Sequence, residues 1–387
     1  MRKRFVVGLV LFAGCAAPVT TGKLQPPPAT ATTSTSSTSA SSAPALPVGS
    51  STLPQRLSDA DFWKLQADIS EPGGYFRIED NYTSNEMEVG ELFSTLRARK
   101  IGGDVYLGVG PEQNFTYIAA VRPQMAFIVD IRRQAAMQHL LFKAIFELAR
   151  DRAEFISLLF DKPRPAGLDS TTSIQAMWEA YRTVGTDSVL AAKNYQRIVD
   201  QLTKVQRFQF TQDETEKLRA VFDAFFYYGP SITTRGTASG RGGDFASLTG
   251  FSYDNAGQPR SFLSTEENYR YVKMLHDRNL IVPITGDFGG AKALRAIGSY
   301  LKQHGGIVRA FYVSNVEQYL FGDAHDRAFY ENVATLPVDS TSVFIRPYSM
   351  RRGGMGGVES LCPIAPFTTA ALAGRVQSND AALACVR

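Results

Sequence analysis

The stretch DVYLGVGP at residues 104–111, followed by MAFIVD at residues 125–130, decides the fold of this chain. The second stretch is a continuous apolar run of strand length that ends in an acid, as expected for a strand buried on both faces of a parallel sheet. The first predicts a strand over 104–107 that ends in a sharp glycine turn. A short helix over 115–121 joins them, so the two stretches predict a strand–helix–strand unit.

The same alternation returns in the second half of the chain. Apolar runs predict strands over 280–285, 307–313 and 342–345, and a helical pattern covers 289–304. Strands that alternate with helices are typical of a parallel sheet covered by helices. The sequence therefore predicts an α/β fold, with a Rossmann-like, mostly parallel sheet and helices on both faces.

A helical stretch interrupts this alternation. Residues 131–160 keep apolar side chains at helical spacing and predict one long helix. Residues 172–228 show no strand pattern, and TQDE at 211–214 has the pattern of a capping box. We interpret 172–228 as a helical insertion in a single domain over 57–387, of which 350–387 is a Gly-rich turn and C-terminal tail.

Residues 1–17 have the composition of a secretory signal peptide. A basic head precedes an apolar run, which is typical of export, and the run is too short to span a bilayer as a helix. LFAGC at 11–15 resembles a bacterial lipobox, which implies a lipid on Cys15 and attachment to a membrane. Cleavage near Ala17 without a lipid is the alternative. The predicted location is the periplasm or outer surface, as a membrane-anchored lipoprotein.

Residues 18–56 predict a disordered linker. Between Pro18 and Pro54 nearly every residue is Ser, Thr, Ala, Pro or Gly, and Lys23 carries the only charge. Such a composition buries too little apolar surface to offset the entropy of ordering. A spacer of this kind holds a folded domain away from a membrane.

Charge and cysteine content limit the classes of partner. The net charge is +4 and the basic residues are spread along the chain, so no nucleic-acid partner is expected. Beyond the lipobox only Cys362 and Cys385 remain, and in an oxidising compartment they either pair or stay as two thiols. The four histidines have no metal-site spacing with them. Three of the histidines are predicted at the surface: His276, His304 and His325.

Glycine and polar residues follow each predicted strand. In an open parallel sheet the ligand lies outside the carboxyl ends of the strands, where the strand order reverses, so these residues are expected to share one edge. They are Gly108 and Gly110, then Asp130, then Gly286 and Asp287, and finally Ser314, Asn315 and Glu317. The sequence predicts a pocket for a small molecule at this edge.

The glycine turn and the acid after the second strand indicate an adenosine-type ligand. Glycine accepts positive φ and allows close approach of a ligand, and an acid about 20 residues later can bind both ribose hydroxyls. The combination is similar to class I S-adenosylmethionine-dependent methyltransferases, so Gly108, Gly110, Glu112 and Asp130 are the candidate cofactor-binding residues and S-adenosylmethionine is the candidate cofactor. Glu112 would repel a pyrophosphate, which counts against NAD and FAD. The alternative is that the glycines only turn the chain and Asp130 only caps a helix.

Asp287, Asn315 and Glu317 are the candidate catalytic residues. An amide offers both a donor and an acceptor, and a carboxylate can act as a base or orient an amine. The alternatives are a solvated helix position for Glu317 and an N-cap for Ser314. The Gly- and Arg-rich loop over 231–243 is a candidate anion-binding loop. The chain has no Gly-x-Ser-x-Gly elbow, so a nucleophilic serine finds little support.

Four strings of the chain resemble a family of uncharacterised exported bacterial proteins with a class I methyltransferase-like Rossmann core. They are EPGGYFR at 71–77, TSNE at 83–86, YLGVGPEQN at 106–114 and FYVSNVEQY at 311–319. The resemblance extends over about 57–349. It implies a fold and no established activity, and it implies that Ser84, Asn85 and Glu86 fold over the edge of the pocket.

Two classes of function follow. One is a methyltransferase-like enzyme that binds S-adenosylmethionine or a similar adenosine ligand, and the other is a non-catalytic binding or interaction module of the cell envelope on a degenerate Rossmann fold. A hydrolase or other transferase that uses Asp287 and Glu317 is a third. Because S-adenosylmethionine is made in the cytoplasm, export of the chain favours the binding module or a ligand present outside.

Overall fold

A mostly parallel six-stranded sheet forms the centre of the protein. The structure is a computed structural model and describes residues 51–78, 80–86, 89–236, 243–346 and 361–385. In chain order the strands are β1 (Val105–Gly108), β2 (Met125–Asp130), β3 (Ile281–Thr285), β4 (Val308–Tyr312), β5 (Val343–Ile345) and β6 (Leu361–Pro363). Every residue of β1 and β2 is buried, which is why their sequence is continuously apolar rather than alternating.

The strand order reverses once. The strands stand in the order β3-β2-β1-β4-β5-β6, in which β1 to β5 pair in parallel and β6 pairs antiparallel with β5. The chain moves outward from β1 through β2 to β3 and then returns to β4 on the other side of β1. The carboxyl ends of β1 and β4 therefore flank the point at which open α/β sheets bind ligands. The predicted α/β class and the mostly parallel sheet are confirmed.

Helices surround this sheet. They are α1 (Asp59–Ile69), α2 (Val89–Ala98), α3 (Gln113–Val121), α4 (Arg133–Leu148), α5 (Arg152–Phe160), α6 (Ile174–Arg182), α7 (Ser188–Asp200), α8 (Gln212–Tyr228), α9 (Phe245–Gly250), α10 (Glu266–Asp277), α11 (Ala293–Gln303), α12 (Val316–Gly322), α13 (Asp326–Val333), α14 (Ile364–Leu372) and α15 (Asn379–Leu383). Helix α3 contacts β1 and β4, and α4 contacts β2 and β3. These two helices thus pack against the strands that carry the predicted site.

The single long helix predicted over 131–160 is wrong, because the chain breaks it into α4 and α5. Ala149 is extended, and the Asp151 carboxylate accepts a hydrogen bond from the backbone N–H of Glu154 at 2.9 Å. An acid at this position satisfies one of the backbone donors that a helix start leaves without a partner. Local capping therefore interrupts an apolar spacing that continues across the break.

The stretch over 172–228 is helical, and it belongs to the same core as the sheet. Thr211 and Glu214 form the predicted capping box at the start of α8. Helix α8 packs against α4 and α5, and its buried side chains join the cluster that surrounds the strands. The helical stretch therefore enlarges the domain rather than forming a separate one.

The folded domain begins before residue 57 and continues past β5. The backbone N–H of Thr52 donates to the carbonyl of His304 at 2.8 Å, and Leu53 is buried. Where a tail was predicted, β6, α14 and α15 follow, and a disulfide joins Cys362 to Cys385. Of the two alternatives for these cysteines, the structure has the bridge.

The predicted signal peptide, Cys15 and most of the predicted linker lie outside the described residues, which begin at residue 51. Within the described ranges, no helix combines the length and the apolar character needed to cross a lipid bilayer.

Candidate functional site

A cavity of about 750 Å³ opens at the carboxyl edge of the sheet. Its wall includes Gly110 after β1, Asp130 at the end of β2, Asp287 after β3 and Asn315 after β4. The structure thus brings together residues from the four strand ends that the sequence placed at one edge. The volume falls within the range of small-molecule sites, roughly 300–1,000 Å³.

The segment between α1 and α2, residues 70–86 without residue 79, crosses this edge, and we call it the strap. Over β3, the backbone N–H of Glu71 donates to the carbonyl of Thr285 at 2.8 Å. Beyond β2, the N–H of Gly74 donates to the carbonyl of Ile131 at 2.9 Å. Backbone bonds therefore dock the first half of the strap on two neighbouring strand ends.

The second half of the strap docks through carboxylates. The backbone N–H of Ser84 donates to the Glu112 carboxylate at 3.1 Å, beyond β1. The Ser314 hydroxyl donates to the Glu86 carboxylate at 2.8 Å, beyond β4. Ser84 and Asn85 line the cavity, as the family resemblance implied.

The glycine turn after β1 serves the packing of the protein itself. A Cβ on Gly108 would lie 1.9 Å from Oδ1 of Asn114, and Gly110 has a φ of +78°. The Asn114 amide donates to the carbonyls of Val109, Gly110 and Pro111 at 3.0, 3.1 and 2.7 Å. Gly108 therefore makes room for Asn114 rather than for a ligand. Of the two glycines, Gly110 is the one on the described cavity wall.

A buried histidine also holds this turn. His139 on α4 places Nε2 2.8 Å from the carbonyl oxygen of Gly110, and since a carbonyl only accepts, Nε2 carries the proton. Burial lowers the pKa of His139 to about 4, so the ring is neutral at pH 7. His139 was not predicted from the sequence, because a histidine among apolar residues of a helix carries no local signal.

Glu112 does not contact the space predicted for a cofactor. It is 1% exposed and does not belong to the described cavity wall. Its carboxylate accepts hydrogen bonds from the hydroxyl of Thr83 and the backbone N–H of Ser84, and burial raises its pKa to about 7. Glu112 therefore holds the strap at the end of β1 and does not take the predicted position in contact with a cofactor.

Asp130 lines the cavity with its carboxylate bound to Arg132. Oδ1 accepts from the backbone N–H of Arg132 at 3.0 Å and from Nε at 2.9 Å, and Oδ2 accepts from Nη2 at 2.7 Å. A carboxylate has about four acceptor sites, and the contacts of the described residues use three of them, which leaves one on Oδ2 for a hydroxyl of a ligand. The guanidinium also lies 5.8 Å from the ring centre of Phe76.

Asp287 and Asn315 lie on the cavity wall as predicted, whereas Glu317 does not. Oδ1 of Asp287 accepts from the backbone N–H of Gly289 at 2.9 Å, and Asn315 is exposed at the start of α12. Both can contact a ligand in the cavity.

Glu317 forms a buried ion pair instead. Its carboxylate accepts from Nε and Nη2 of Arg346 at 2.5 and 2.8 Å and from the Tyr330 hydroxyl at 2.8 Å. Both partners of the pair are at most 3% exposed, and Glu317 lies off the described cavity wall. The prediction of a catalytic Glu317 is therefore corrected, since Arg346 neutralises this carboxylate within the core.

Aromatic rings and arginines complete the wall. The edge of Phe76 meets Tyr319 with ring centres 4.8 Å apart, and Tyr312 and Phe288 line the same space. Arg235, from the predicted anion-binding loop, also lines it, while residues 237–242 of that loop lie outside the described part. Aromatic faces of this kind suit a planar ligand, and arginine suits a carboxylate.

The histidines differ from the prediction in one case. His276 is 1% exposed, stacks on Phe146 with ring centres 4.6 Å apart, and has both ring nitrogens without a hydrogen-bond partner in the described structure. Its predicted surface position is wrong, because the apolar face of α10 on which it lies packs against α4. No group of three or more His, Cys, Asp or Glu among the described residues is arranged to hold a metal ion.

Comparison with known proteins identifies one family that matches the chain. A family model described as Domain of unknown function (DUF7790) matches residues 82–217 and 250–361, which together span more than half of the chain. The matched ranges contain the strand ends that form the cavity wall. A search of curated proteins finds no match to the chain.

Proposed function

The chain belongs to the DUF7790 family, and from the geometry of its cavity we propose that it binds a nucleoside-type small molecule, such as S-adenosylmethionine, on a Rossmann-like, methyltransferase-like domain. The observation that carries the proposal is the convergence of four strand ends on one cavity with aromatic walls and Asp130 at the end of β2. The order β3-β2-β1-β4-β5-β6 supports the Rossmann-like arrangement, since dinucleotide-binding sheets share this order.

The residues of the wall fit an adenosine group. Oδ2 of Asp130 keeps an acceptor site for a ribose hydroxyl, and Phe76 and Tyr319 give the cavity wall aromatic surface against which a purine would pack. Arg235 on the same wall suits the carboxylate of an amino-acid moiety. These contacts would hold and orient a ligand, and S-adenosylmethionine would supply a transferable methyl group.

The loop before α11 favours a ligand without phosphate. The Glu71 carboxylate accepts hydrogen bonds from the backbone N–H groups of Asp287, Lys292 and Ala293 at 3.0, 2.7 and 2.8 Å. Backbone donors at a helix start are the groups that usually bind phosphate, and here an anion of the protein itself engages them. A nucleoside therefore suits this edge better than a nucleotide.

Calorimetric titration tests the proposal with S-adenosylmethionine, its demethylated product and adenosine as ligands. We expect at least one to bind, and we expect Asp130→Asn to weaken that binding at least tenfold, about 1.4 kcal/mol. Asp200→Asn, in an exposed pair with Lys204, is the matched control and should bind like the wild type. Binding of none of the three ligands, or equal binding by Asp130→Asn, would contradict the proposal.

A second candidate function is a non-catalytic binding module of the cell envelope. The observation in its favour is that Glu112, Asp130 and Glu317, three of the predicted site carboxylates, are bound by groups of the protein itself. Native mass spectrometry of the purified protein distinguishes the two. A ligand that copurifies and is never converted favours the module, and methyl transfer to any acceptor excludes it.

The proposed site of action is outside the cytoplasm, on a membrane to which a lipid on Cys15 attaches the domain. The signal-like residues 1–17 and the polar linker up to residue 50 support this location. Labelling of cells with a clickable palmitate should mark the wild-type protein and leave Cys15→Ser unlabelled. Equal labelling of both proteins, or of neither, would remove the lipid anchor from the proposal.

A further inference from the structure

Ser314 stands on a sharp turn between β4 and α12. Its φ is +46°, a left-handed conformation that residues other than glycine seldom adopt. The turn is tight, since the backbone N–H of Val316 donates back to the carbonyl of Val313 at 3.1 Å. Ser314 is partly exposed and lines the cavity.

The strand β4, the turn at Ser314 and the helix α12 together resemble a nucleophile elbow. In such an elbow a strand, a strained turn and a helix hold a hydroxyl at the top of a parallel sheet. The sequence pattern conceals it, because Tyr312 and Val316 stand where the usual motif has glycine. The geometry thus supplies a serine position that has no Gly-x-Ser-x-Gly motif in the sequence.

A carboxyl group is bonded to this hydroxyl. Oγ of Ser314 donates to Oε1 of Glu86 at 2.8 Å, and the phenols of Tyr117 and Tyr312 lie beside the same carboxyl group. Glu86 as a residue is partly exposed, but these three side chains enclose its carboxyl group, and burial raises its pKa. A carboxyl group with a raised pKa is suited to exchange protons near neutral pH.

We propose that Ser314 and Glu86 form a nucleophile–base pair for acyl transfer, with esters of apolar acids as the substrate class. The proposal uses the same cavity as the ligand proposed above but needs no nucleoside, so either can fail without the other. Phe76, Val109 and Leu320 give the cavity wall apolar surface for an acyl chain. The amide groups of Asn85 and Asn315 on the same wall are neutral donors for the developing oxyanion.

The reaction is balanced without a further reactant. Oγ of Ser314 bonds to the ester carbonyl carbon while its proton moves to the Glu86 carboxylate. The bond from that carbon to the alcohol oxygen then breaks, and the alcohol leaves with the proton from Glu86. Water next attacks the acyl-serine and gives a proton to Glu86. The carbon–Oγ bond breaks, Oγ regains the proton, and the acid is released.

A fluorophosphonate probe and p-nitrophenyl butyrate test the pair on the full chain. We expect the probe to form an adduct on Ser314, mapped by mass spectrometry, and we expect ester hydrolysis by the wild type. Ser314→Gly should lose the adduct and at least ~100-fold in hydrolysis. It should stay folded, because glycine adopts a φ of +46° without strain. Ser299→Ala, at an exposed position of α11, should match the wild type.

Three results would overturn the pair. They are an adduct that maps to another residue, hydrolysis by Ser314→Gly at the wild-type rate, and a wild-type protein that neither reacts with the probe nor cleaves the ester. Each is read on protein whose melting temperature shows that it is folded.

Glu86→Gln distinguishes a catalytic base from a residue that only hydrogen-bonds to Ser314. The amide still accepts a hydrogen bond from Ser314 but cannot take its proton, so kcat should fall by ~100-fold with KM little changed. Among the described residues, the titratable groups that face Glu86 are the phenols of Tyr106, Tyr117 and Tyr312, and burial keeps the pKa of each well above its ordinary value.

Wild-type kcat/KM should therefore rise with pH through one apparent pKa above the ordinary range of a carboxyl group, and Glu86→Gln should lose that step. Glu331→Gln, in an exposed pair with Arg327 on α13, is the control and should keep it. A pH profile that Glu86→Gln leaves unchanged would exclude Glu86 as the base.

Discussion

Helix α3 separates two groups of buried ionisable side chains. On one face, the ring of Tyr117 lies 4.9 Å from that of Tyr312, beside Glu86. On the other face, Phe115 contacts the rings of His139 and His276 at 5.7 and 5.4 Å. We call Glu86 and Glu112 the strap carboxyls, and His139, Lys143 and His276 the buried bases.

The same physical cause acts on the two groups with opposite sign. Burial disfavours charge, so it raises the pKa of both strap carboxyls and lowers that of all three buried bases. Both strap carboxyls hydrogen-bond to residues of the cavity wall, Ser84 and Ser314, and of the three buried bases His139 is bonded to Gly110 on that wall. A shifted pKa therefore does not by itself mark a functional site, and the edge of the sheet decides which shifted groups meet a ligand.

The largest effect is expected where a buried base holds a carboxylate. Nζ of Lys143 donates to Glu147 at 2.6 Å and to the carbonyl of His276 at 2.9 Å. Lys143→Met leaves the Glu147 carboxylate, whose side chain is only 11% exposed, without its cation. The free energy of unfolding in urea should therefore fall by about 3–5 kcal/mol. Lys64→Met, in an exposed pair with Asp68, should change it by no more than about 0.5 kcal/mol. Similar losses in both variants would show that Lys143 is not a buried base in solution.

The disulfide provides a reference that does not titrate. Cys362 and Cys385 are 23 residues apart, and a bridge over a loop of this size stabilises a fold by about 3 kcal/mol. The double variant C362A/C385A should lower the free energy of unfolding by that amount at every pH between about 4 and 8. A loss that varies with pH would mean that the bridge is coupled to one of the two ionisable groups.

Glu112→Gln tests the strap carboxyls. The pKa of Glu112 is about 7 in the folded chain and 4.5 in an ordinary carboxyl group. Its contribution to the free energy of unfolding is therefore fully present below pH 4.5 and is lost as pH rises towards 7. Over that interval the wild type should lose about 1.4 kcal/mol per pH unit relative to Glu112→Gln. Urea unfolding at several pH values measures this slope. Parallel curves for the two proteins would show that Glu112 is already ionised and solvated.

His276→Phe tests the buried bases, with the opposite sign. The pKa of His276 lies well below its ordinary 6.5, so only the unfolded chain takes up its proton as pH falls from 6.5. The wild type should therefore lose about 1.4 kcal/mol more per pH unit than His276→Phe. His139 adds a similar loss down to about pH 4, whereas Glu112 has the opposite effect between about pH 4.5 and 7. The comparison is therefore made in proteins that carry Glu112→Gln, in which His276→Phe should keep about half of the slope. If the free energy of unfolding of the His276→Phe variant falls on acidification as steeply as that of the protein with His276, then His276 does not contribute to this loss.

Much of the fold was readable from local patterns. The predicted strands lie close to β1 to β5 because strands buried on both faces must be continuously apolar. The order of these elements along the chain also predicted that Gly110, Asp130, Asp287 and Asn315 share one edge, which the cavity shows. The break between α4 and α5 was missed, since a single capping acid, Asp151, outweighed regular apolar spacing.

The sequence did not predict which residues bind the acidic side chains of the site. Arg132 neighbours Asp130 in the chain and carries a local signal for their pairing. Thr83 binds Glu112 from 29 residues away, and Arg346 binds Glu317 from 29 residues away. Nothing in the sequence distinguishes a carboxylate that a distant residue will bind from one that remains available to a ligand.

By itself, the sequence determined the α/β class, the positions of the strand ends and the polar residues placed there, because these follow from hydrophobic periodicity and chain order. Only the tertiary structure decided which of those residues face the cavity. It turned Glu112 and Glu317 inward to partners of their own, gave Ser314 a left-handed backbone without flanking glycines, and brought Glu86 to its hydroxyl. Burial and pairing depend on contacts between residues far apart in the chain, and local pattern carries no record of them.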